Sequence, residues 1–313
     1  MPPSTTATRF LSEKSSGVFI GFTLNIQRDM RFLTLQLESR TEPAVIVDGL
    51  LIRLKDAGFH DVHDLIAGGA DAMDRVVRWV NHSPGGEVFD VAGMKLRSPL
   101  QRPGKIICIG LNYRDHAEEA KMPIPETPTV FAKWGNTVTG HQHPIVLPKN
   151  SRKPDYEAEL AVVIGKGGRH IAEANWREHV FGYTILNDVS ARDFQMATSQ
   201  WTIGKTFDTF APIGPWIVTT DEIEDPGALR ISLTLNSVTM QDSNTSNLIF
   251  GIPKLIAYLS SVMSLEPGDI ISTGTPAGVG FAQKPPRWLV PGDVCAIQVG
   301  GIGELVNPVI AEA

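Results

Sequence analysis

The run Asp155-Tyr-Glu157-Ala-Glu159-Leu-Ala-Val-Val-Ile164 sets the reading of the whole chain. Its last seven residues, from Ala158, form a short apolar run of strand length. Side chains two apart on a strand point the same way, so Glu157 and Glu159 share a face that Ala161 and Val163 continue. Working outward, similar β-type runs recur at Lys105–Gly110, Thr129–Ala132, Ile145–Leu147, Phe181–Leu186, Pro215–Val218, Arg230–Leu235, Asp269–Thr273 and Cys295–Val299. Helical patterns are fewer, at Ala172–His179, Ala191–Met196 and Pro253–Val262. Short strands separated by Gly/Pro turns predict a β-rich α+β fold with mixed sheets, and not a doubly wound α/β sheet.

Before Gly104 the texture differs. Arg31–Leu37 and Ala44–Leu54 read as strands joined by a turn near Thr41–Pro43. Asp64–Ile66 and Ala70–Val80 carry helical spacing, with Met73, Val76, Val77 and Val80 on one face. Asn81–Gly86 and Ser98–Gly104 have linker composition. The expected division is an N-terminal accessory α+β domain over residues 1–98 and a catalytic domain over 99–313.

Composition narrows the function. The 313 residues include 29 glycines and 22 prolines, above the usual ~12% for the pair, while charged residues are 20% against ~25%. Such a chain can bury a large core and further surface in an oligomer. The net charge of −6 gives none of the basic surplus of a nucleic-acid binder. Two cysteines in apolar stretches, Cys108 and Cys295, read as buried structural thiols in a reducing compartment. Gly17–Ile26 is too short to span a bilayer. Met1–Ser16 has the Ser, Thr, Arg9 and Lys14 of a transit peptide, but Glu13 and Asp29 argue for a short tail. A cytoplasmic location is expected, with a mitochondrial one as the alternative.

Five local patterns can carry chemistry, and each has a plainer reading. Glu157 and Glu159 repel unless a cation lies between them, and a hard divalent metal suits them; otherwise they are solvated glutamates at a strand edge. Asn187-Asp188 closes the Phe181–Leu186 strand and can complete a three-carboxylate set, or it is an Asx turn or helix cap. In His116-Ala-Glu-Glu119, His116 and Glu119 lie on one helical face and form a general-base pair, or an incidental surface pair. The Pro-rich Met122–Pro128 segment beside them suits a lid. Gly204-Lys205-Thr206 lacks the upstream glycine of a P-loop, yet Lys205 between Ile203 and Phe207 can turn inward to an anion. Thr273-Gly-Thr275-Pro-Ala-Gly278-Val-Gly280 can bring backbone N–H groups to a carboxylate, or it is a plain turn. His141-Gln-His143 has metal-pair spacing but no third ligand nearby, and reads as a loop feature.

The order of these pieces is more specific than any one of them. Ile107–His116, Glu157–Gly165, Asn187–Gln195, Gly204–Phe207 and Thr273–Gly280 together resemble the fumarylacetoacetate hydrolase superfamily, over roughly Lys105 to the C-terminus. The resemblance implies a mixed β-roll fold, a homodimer and a Mg²⁺ or Mn²⁺ site. It matches Glu157, Glu159 and Asp188 to metal carboxylates and His116 and Glu119 to a water-activating lid dyad. Lys205, Gln195 and Arg192 match positions holding substrate oxygens, Thr275 a contact to the substrate carboxylate, and Lys133 a position near the site mouth. Where the founding hydrolase has a further aspartate ligand, this chain has Asn112, so a water is implied there. The implied activity is hydrolytic cleavage of a small 2,4-dioxo acid of the acylpyruvate type. The alternative is oxaloacetate decarboxylation or keto–enol tautomerisation. A third reading is a metal-stabilised scaffold without turnover.

Overall fold

The computed structural model describes residues 29–38, 40–82, 87–88 and 94–313. The tail, the apolar Gly17–Ile26 stretch and part of the Asn81–Gly86 linker lie outside these residues. Ala158–Ile164 is a strand with every residue buried. It lies inside a twelve-stranded mixed sheet. Val180–Asn187 pairs antiparallel on one side, with Ala158 opposite Asn187. Ile270–Ser272 pairs antiparallel on the other, followed by the parallel strand Ile106–Gly110 and the edge strand Thr129–Lys133. A five-stranded sheet runs in the order Val238–Asn244, Arg230–Leu235, Val294–Val299, Gly303–Ala311 and Ile145–Leu147.

The two-residue period of the central strand divides the core. Ala158, Leu160, Val162 and Ile164 pack with Ile231, Leu233, Ile297 and Leu305 of the second sheet. The helix Ile252–Val262 adds Leu255, Ile256 and Leu259 to this layer. Ala161 and Val163 point the opposite way, into a core with Phe32, Val45, Leu65 and Val76. A sheet covered on both faces explains a continuous apolar run where a half-exposed strand would alternate.

Residues before the expected boundary at 99 continue this sheet. Met30–Gln36 pairs antiparallel with Ala211–Thr219, placing Arg31 opposite Val218 and Phe32 opposite Ile217. The expected strand Ala44–Leu54 is two strands, Thr41–Val47 and Leu50–Arg53. Asp48 and Gly49 between them both have positive φ, 52° and 77°, which is a two-residue hairpin turn. Thr41–Pro43 belong to the strand and not to a turn; the preceding turn closes by Leu37 N–H donating to Arg40 O at 2.9 Å. The helices fall at Val62–Ala67 and Gly69–His82. Val77, expected on the apolar face, is exposed, because the helix buries the Ala72, Val76 and Val80 stripe. Cys108 and Cys295 are buried and free of any disulfide. Among the described residues no helix is long and apolar enough to cross a membrane.

Candidate active site

Three strand ends and one short helix bring the predicted residues together. Glu157 immediately precedes the central strand, and Glu159 lies inside it. Asp188 follows Val180–Asn187, where Asp188 N–H donates to Glu157 O at 2.9 Å and fixes the two segments in register. One carboxylate oxygen from each of Glu157, Glu159 and Asp188 lies within 4.8 Å of the others, and all three residues are buried. Lys205 ends the 3-10 helix Trp201–Lys205 and is 2% exposed. The inward turn expected of its side chain is what the structure has.

The ion pairs leave one carboxylate over. Lys205 Nζ lies 2.6 Å from Glu157 Oε2 and 2.8 Å from Asp188 Oδ2. Arg192 Nη2 lies 2.6 Å from Glu157 Oε1 and 2.8 Å from Asp155 Oδ2. Lys133 Nζ lies 2.6 Å from Asp188 Oδ1. Asp155, Glu157, Glu159 and Asp188 thus face Lys133, Arg192 and Lys205. Among the described residues Glu159 is the member without a paired cation, accepting from Ser272 Oγ at 2.5 Å and from Gly274 N–H at 2.9 Å.

The titration behaviour follows this arrangement. Burial raises the Glu159 carboxyl well above its usual range, and the charges of Asp188 and Glu157 raise it further. Burial also works against the Glu157 charge, but Arg192 and Lys205 prevail and hold it at about 2. Burial opposes the Lys205 charge as well, and Asp188 and Glu157 overcome it and push Lys205 up to about 12. Lys205 is therefore a fixed cation near neutral pH. A buried all-oxygen set with one uncompensated charge is the chemistry of a hard divalent cation, and Mg²⁺ and Mn²⁺ both fit it.

The two residues expected to form a dyad, His116 and Glu119, lie side by side. The helix Arg114–Ala120 carries His116 and Glu119. His116 Nδ1 is 3.3 Å from Glu119 Oε2, and Gly278 N–H donates to both Glu119 oxygens at 3.0 and 3.1 Å. The Thr273–Gly280 stretch thus presents a backbone N–H to a carboxylate, that of Glu119. His116, Glu157, Glu159, Arg192, Gln195, Lys205 and Thr275 line one cavity of about 220 Å³.

Some residues sit differently from their expected roles. Lys133 is not among the residues lining this cavity, and its ammonium group is buried against Asp188 and Val189 O. The Thr275 hydroxyl donates to Ala158 O and accepts from Gln241, so it is occupied in holding the loop. Gln195 Oε1 accepts from Arg192 Nη1 at 2.9 Å, which leaves its amide nitrogen for a ligand. Asn112 donates to Thr273 O and Phe250 O and accepts from Phe250 N–H, so it latches two segments together. His141 and His143 form no metal pair with a third ligand; each has a buried Nε2 without a partner among the described residues.

Asp155 escaped the sequence reading. It is fully buried and accepts from Gly280 N–H at 2.7 Å, Phe281 N–H at 2.9 Å and Arg192 Nε at 2.9 Å. It ties the glycine-rich loop to the guanidinium that holds Glu157. The available signal was its spacing, two residues before Glu157 on the same face.

Over most of its length the chain is similar to known proteins. The family model described as fumarylacetoacetate (FAA) hydrolase C-terminal matches residues 105–310. The fumarylacetoacetate hydrolase domain-containing protein 2 homolog of Dictyostelium discoideum is 46% identical over 250 residues, 76% of this chain and 81% of that protein. The mitochondrial oxaloacetate tautomerase fahd2 of Xenopus laevis is 46% identical over 225 residues, 71% of this chain and 70% of its own. The maleylpyruvate hydrolase of Sphingobium sp. SYK-6, solved with manganese(II) and pyruvate, is 30% identical at a TM-score of 0.75, covering 91% of this chain and all of its own. With a matching model over most of its length and relatives this similar, the chain belongs to the fumarylacetoacetate hydrolase family of enzymes.

Proposed function

We propose that this enzyme moves a proton on a small metal-held 2-oxo acid, with oxaloacetate keto–enol tautomerisation as its main reaction. The observation that carries the reading is the Glu159 carboxylate without a paired cation, which shares a cavity with Lys205 and with His116, the histidine that Glu119 contacts. Glu157, Glu159 and Asp188 would hold the divalent ion; with the four carboxylates ionised against three cations, the local charge would go from one negative to one positive, which suits an anionic 2-oxo acid. Relatives named oxaloacetate tautomerase support this choice over the hydrolysis first expected. Their mitochondrial names also support that compartment over the cytoplasmic one.

When bound, Mg²⁺ or Mn²⁺ supplies Lewis-acid polarisation of the substrate's carboxylate and 2-oxo oxygens, which acidifies C3. The protein's own residues do the rest. With its Nδ1 proton donated to Glu119, His116 presents Nε2 to take the C3 proton and return it to oxygen or carbon. Glu119, held by Gly278 N–H, fixes the ring and stabilises the imidazolium. Lys205 stays protonated, so it acts as a hydrogen-bond donor to developing negative charge and not as a base. Arg192 keeps Glu157 ionised, and Gln195 offers its amide to a substrate oxygen.

Hydrolysis of an acylpyruvate is the second reading. It is favoured by the likeness to a hydrolase solved with manganese and pyruvate. In this second reading the His116–Glu119 pair of the present chain deprotonates water. The homodimer is likewise a proposal, to be checked by light scattering on the eluted protein. Parallel assays with Mg²⁺ or Mn²⁺ separate the reactions. Faster interconversion of oxaloacetate enol and keto forms with acetylpyruvate left intact supports tautomerisation. Loss of the acetylpyruvate diketone absorbance with no effect on oxaloacetate replaces it with hydrolysis.

A further inference from the structure

The candidate site has an apolar wall that neither the metal cluster nor the dyad accounts for. Lys205 and Trp201 stand at opposite ends of one five-residue 3-10 helix. At a rise of ~2.0 Å per residue their backbones are ~8 Å apart. Phe131 bridges that distance: its ring centroid is 4.9 Å from Lys205 Nζ and 5.7 Å from the Trp201 ring, edge to face. The far side of the indole rests on Gly110, the last residue of the strand Ile106–Gly110. A Cβ at Gly110 would lie 2.3 Å from the indole, so glycine is what lets the ring sit there. Gly110, Phe131 and the Trp201–Lys205 helix are far apart in sequence, yet all four residues line the cavity of about 220 Å³. That volume is below the ~300–1,000 Å³ usual for ligand pockets.

We propose that Trp201, seated on Gly110 and braced by Phe131, sets the length of the acid this site accepts, admitting four-carbon 2-oxo acids and rejecting longer unbranched ones. The inference rests on the 2-oxo acid reading above. An acid whose head lies beside Lys205 extends its tail along Phe131 and meets the indole within a few carbon atoms. The wall is aromatic and braced on two sides, so it cannot swing away as a lone flexible side chain could. Each methylene forced against such a wall costs affinity in the range that hydrophobic pockets use to discriminate, roughly tenfold or more.

The test is calorimetric titration of the Mn²⁺-loaded protein with pyruvate, 2-oxobutanoate, 2-oxohexanoate and 2-oxooctanoate. Wild-type protein is expected to lose about tenfold or more in affinity between the four- and eight-carbon acids. Trp201→Ala is expected to abolish or invert that loss. Trp201→Leu, which keeps apolar bulk and protects against a failure to fold, is expected to shift it in the same direction by less. An identical length profile in wild type and in either folded variant overturns the proposal. Oxaloacetate turnover assayed alongside separates the two claims. A shifted length profile without turnover leaves the wall standing and removes the tautomerase reading. Turnover by a wild-type protein that binds all four acids equally removes the wall alone.

Discussion

Glu159 is the residue on which the charge of the site turns. Its isostere Gln keeps acceptors for Ser272 and Gly274 N–H while removing the uncompensated charge. Glu159→Gln is therefore expected to melt higher than wild type in chelator and to lose the stabilisation that Mn²⁺ gives, in paired thermal melts. Lys205→Met has the opposite sign, because it removes the cation that Glu157 and Asp188 share and leaves them only Arg192 and Lys133 respectively. The expected cost is about 3–5 kcal/mol, read by denaturant unfolding. At His141 the prediction concerns pH. Burial, with a smaller contribution from His143, lowers its imidazole to about 4 from an ordinary 6.5. Between these values the unfolded chain binds a proton that the folded one does not, so stability falls as pH drops from about 6.5 to about 4. His141→Gln is expected to flatten that part of the melting profile. At this scale the shared face of Glu157 and Glu159, the helical spacing of His116 and Glu119 and an inward turn open to Lys205 were legible. Their grouping with Asp188 into one site came from the order of motifs that resembles the family, since each pattern alone has a plainer reading. Asp155 was not. Its partners are Arg192, 37 residues on, and the backbone N–H groups of Gly280 and Phe281, more than a hundred residues away, and a lone aspartate gives no sign of them.

Among the elements, the glycine-rich loop couples the two halves of the site. Gly278 has φ of 102°, and a Cβ there would lie 2.0 Å from Met240 O. Gly278→Ala must displace the loop and, with it, the N–H that holds Glu119. The expected result is a fall in kcat with Mn²⁺ stabilisation retained, a combination that separates loss of the dyad from loss of the metal ligands. The strands Ala158–Ile164 and Arg230–Leu235 were readable to the residue because they are apolar and bounded by turns. Val238–Asn244 was not, since it pairs on one side only and its sequence ends in polar Gln241-Asp-Ser-Asn244. Gly303–Ala311 was also missed, with Pro308 and alternating exposure breaking the pattern. The Asp48-Gly49 hairpin carried a readable turn signal that a continuous run of apolar residues on either side obscured.

At the scale of the whole molecule, the sheet and its second core cross the boundary expected near residue 99. Phe32 and Val45 pack with Cys108, Ala161 and Ile217 in one cluster. A fragment of residues 99–313 would expose that surface and leave Ala211–Thr219 with an open edge. It is expected to be less soluble and to melt lower than the full chain, as measured by scanning calorimetry. The succession of short apolar runs foretold a β-rich chain and composition a large core, but sheet continuity depends on pairing between residues nearly two hundred apart, which no local pattern encodes. The site at the centre of this sheet is read here as one that moves a proton on a metal-held 2-oxo acid. Stopped-flow decay of the oxaloacetate enol absorbance in the presence of Mn²⁺ and the protein tests that most directly. The decay is predicted to be much faster than with Mn²⁺ alone, and to slow by roughly 10²–10⁴-fold with His116→Gln. A decay no faster than with the ion alone, or one that His116→Gln leaves unchanged, would contradict it.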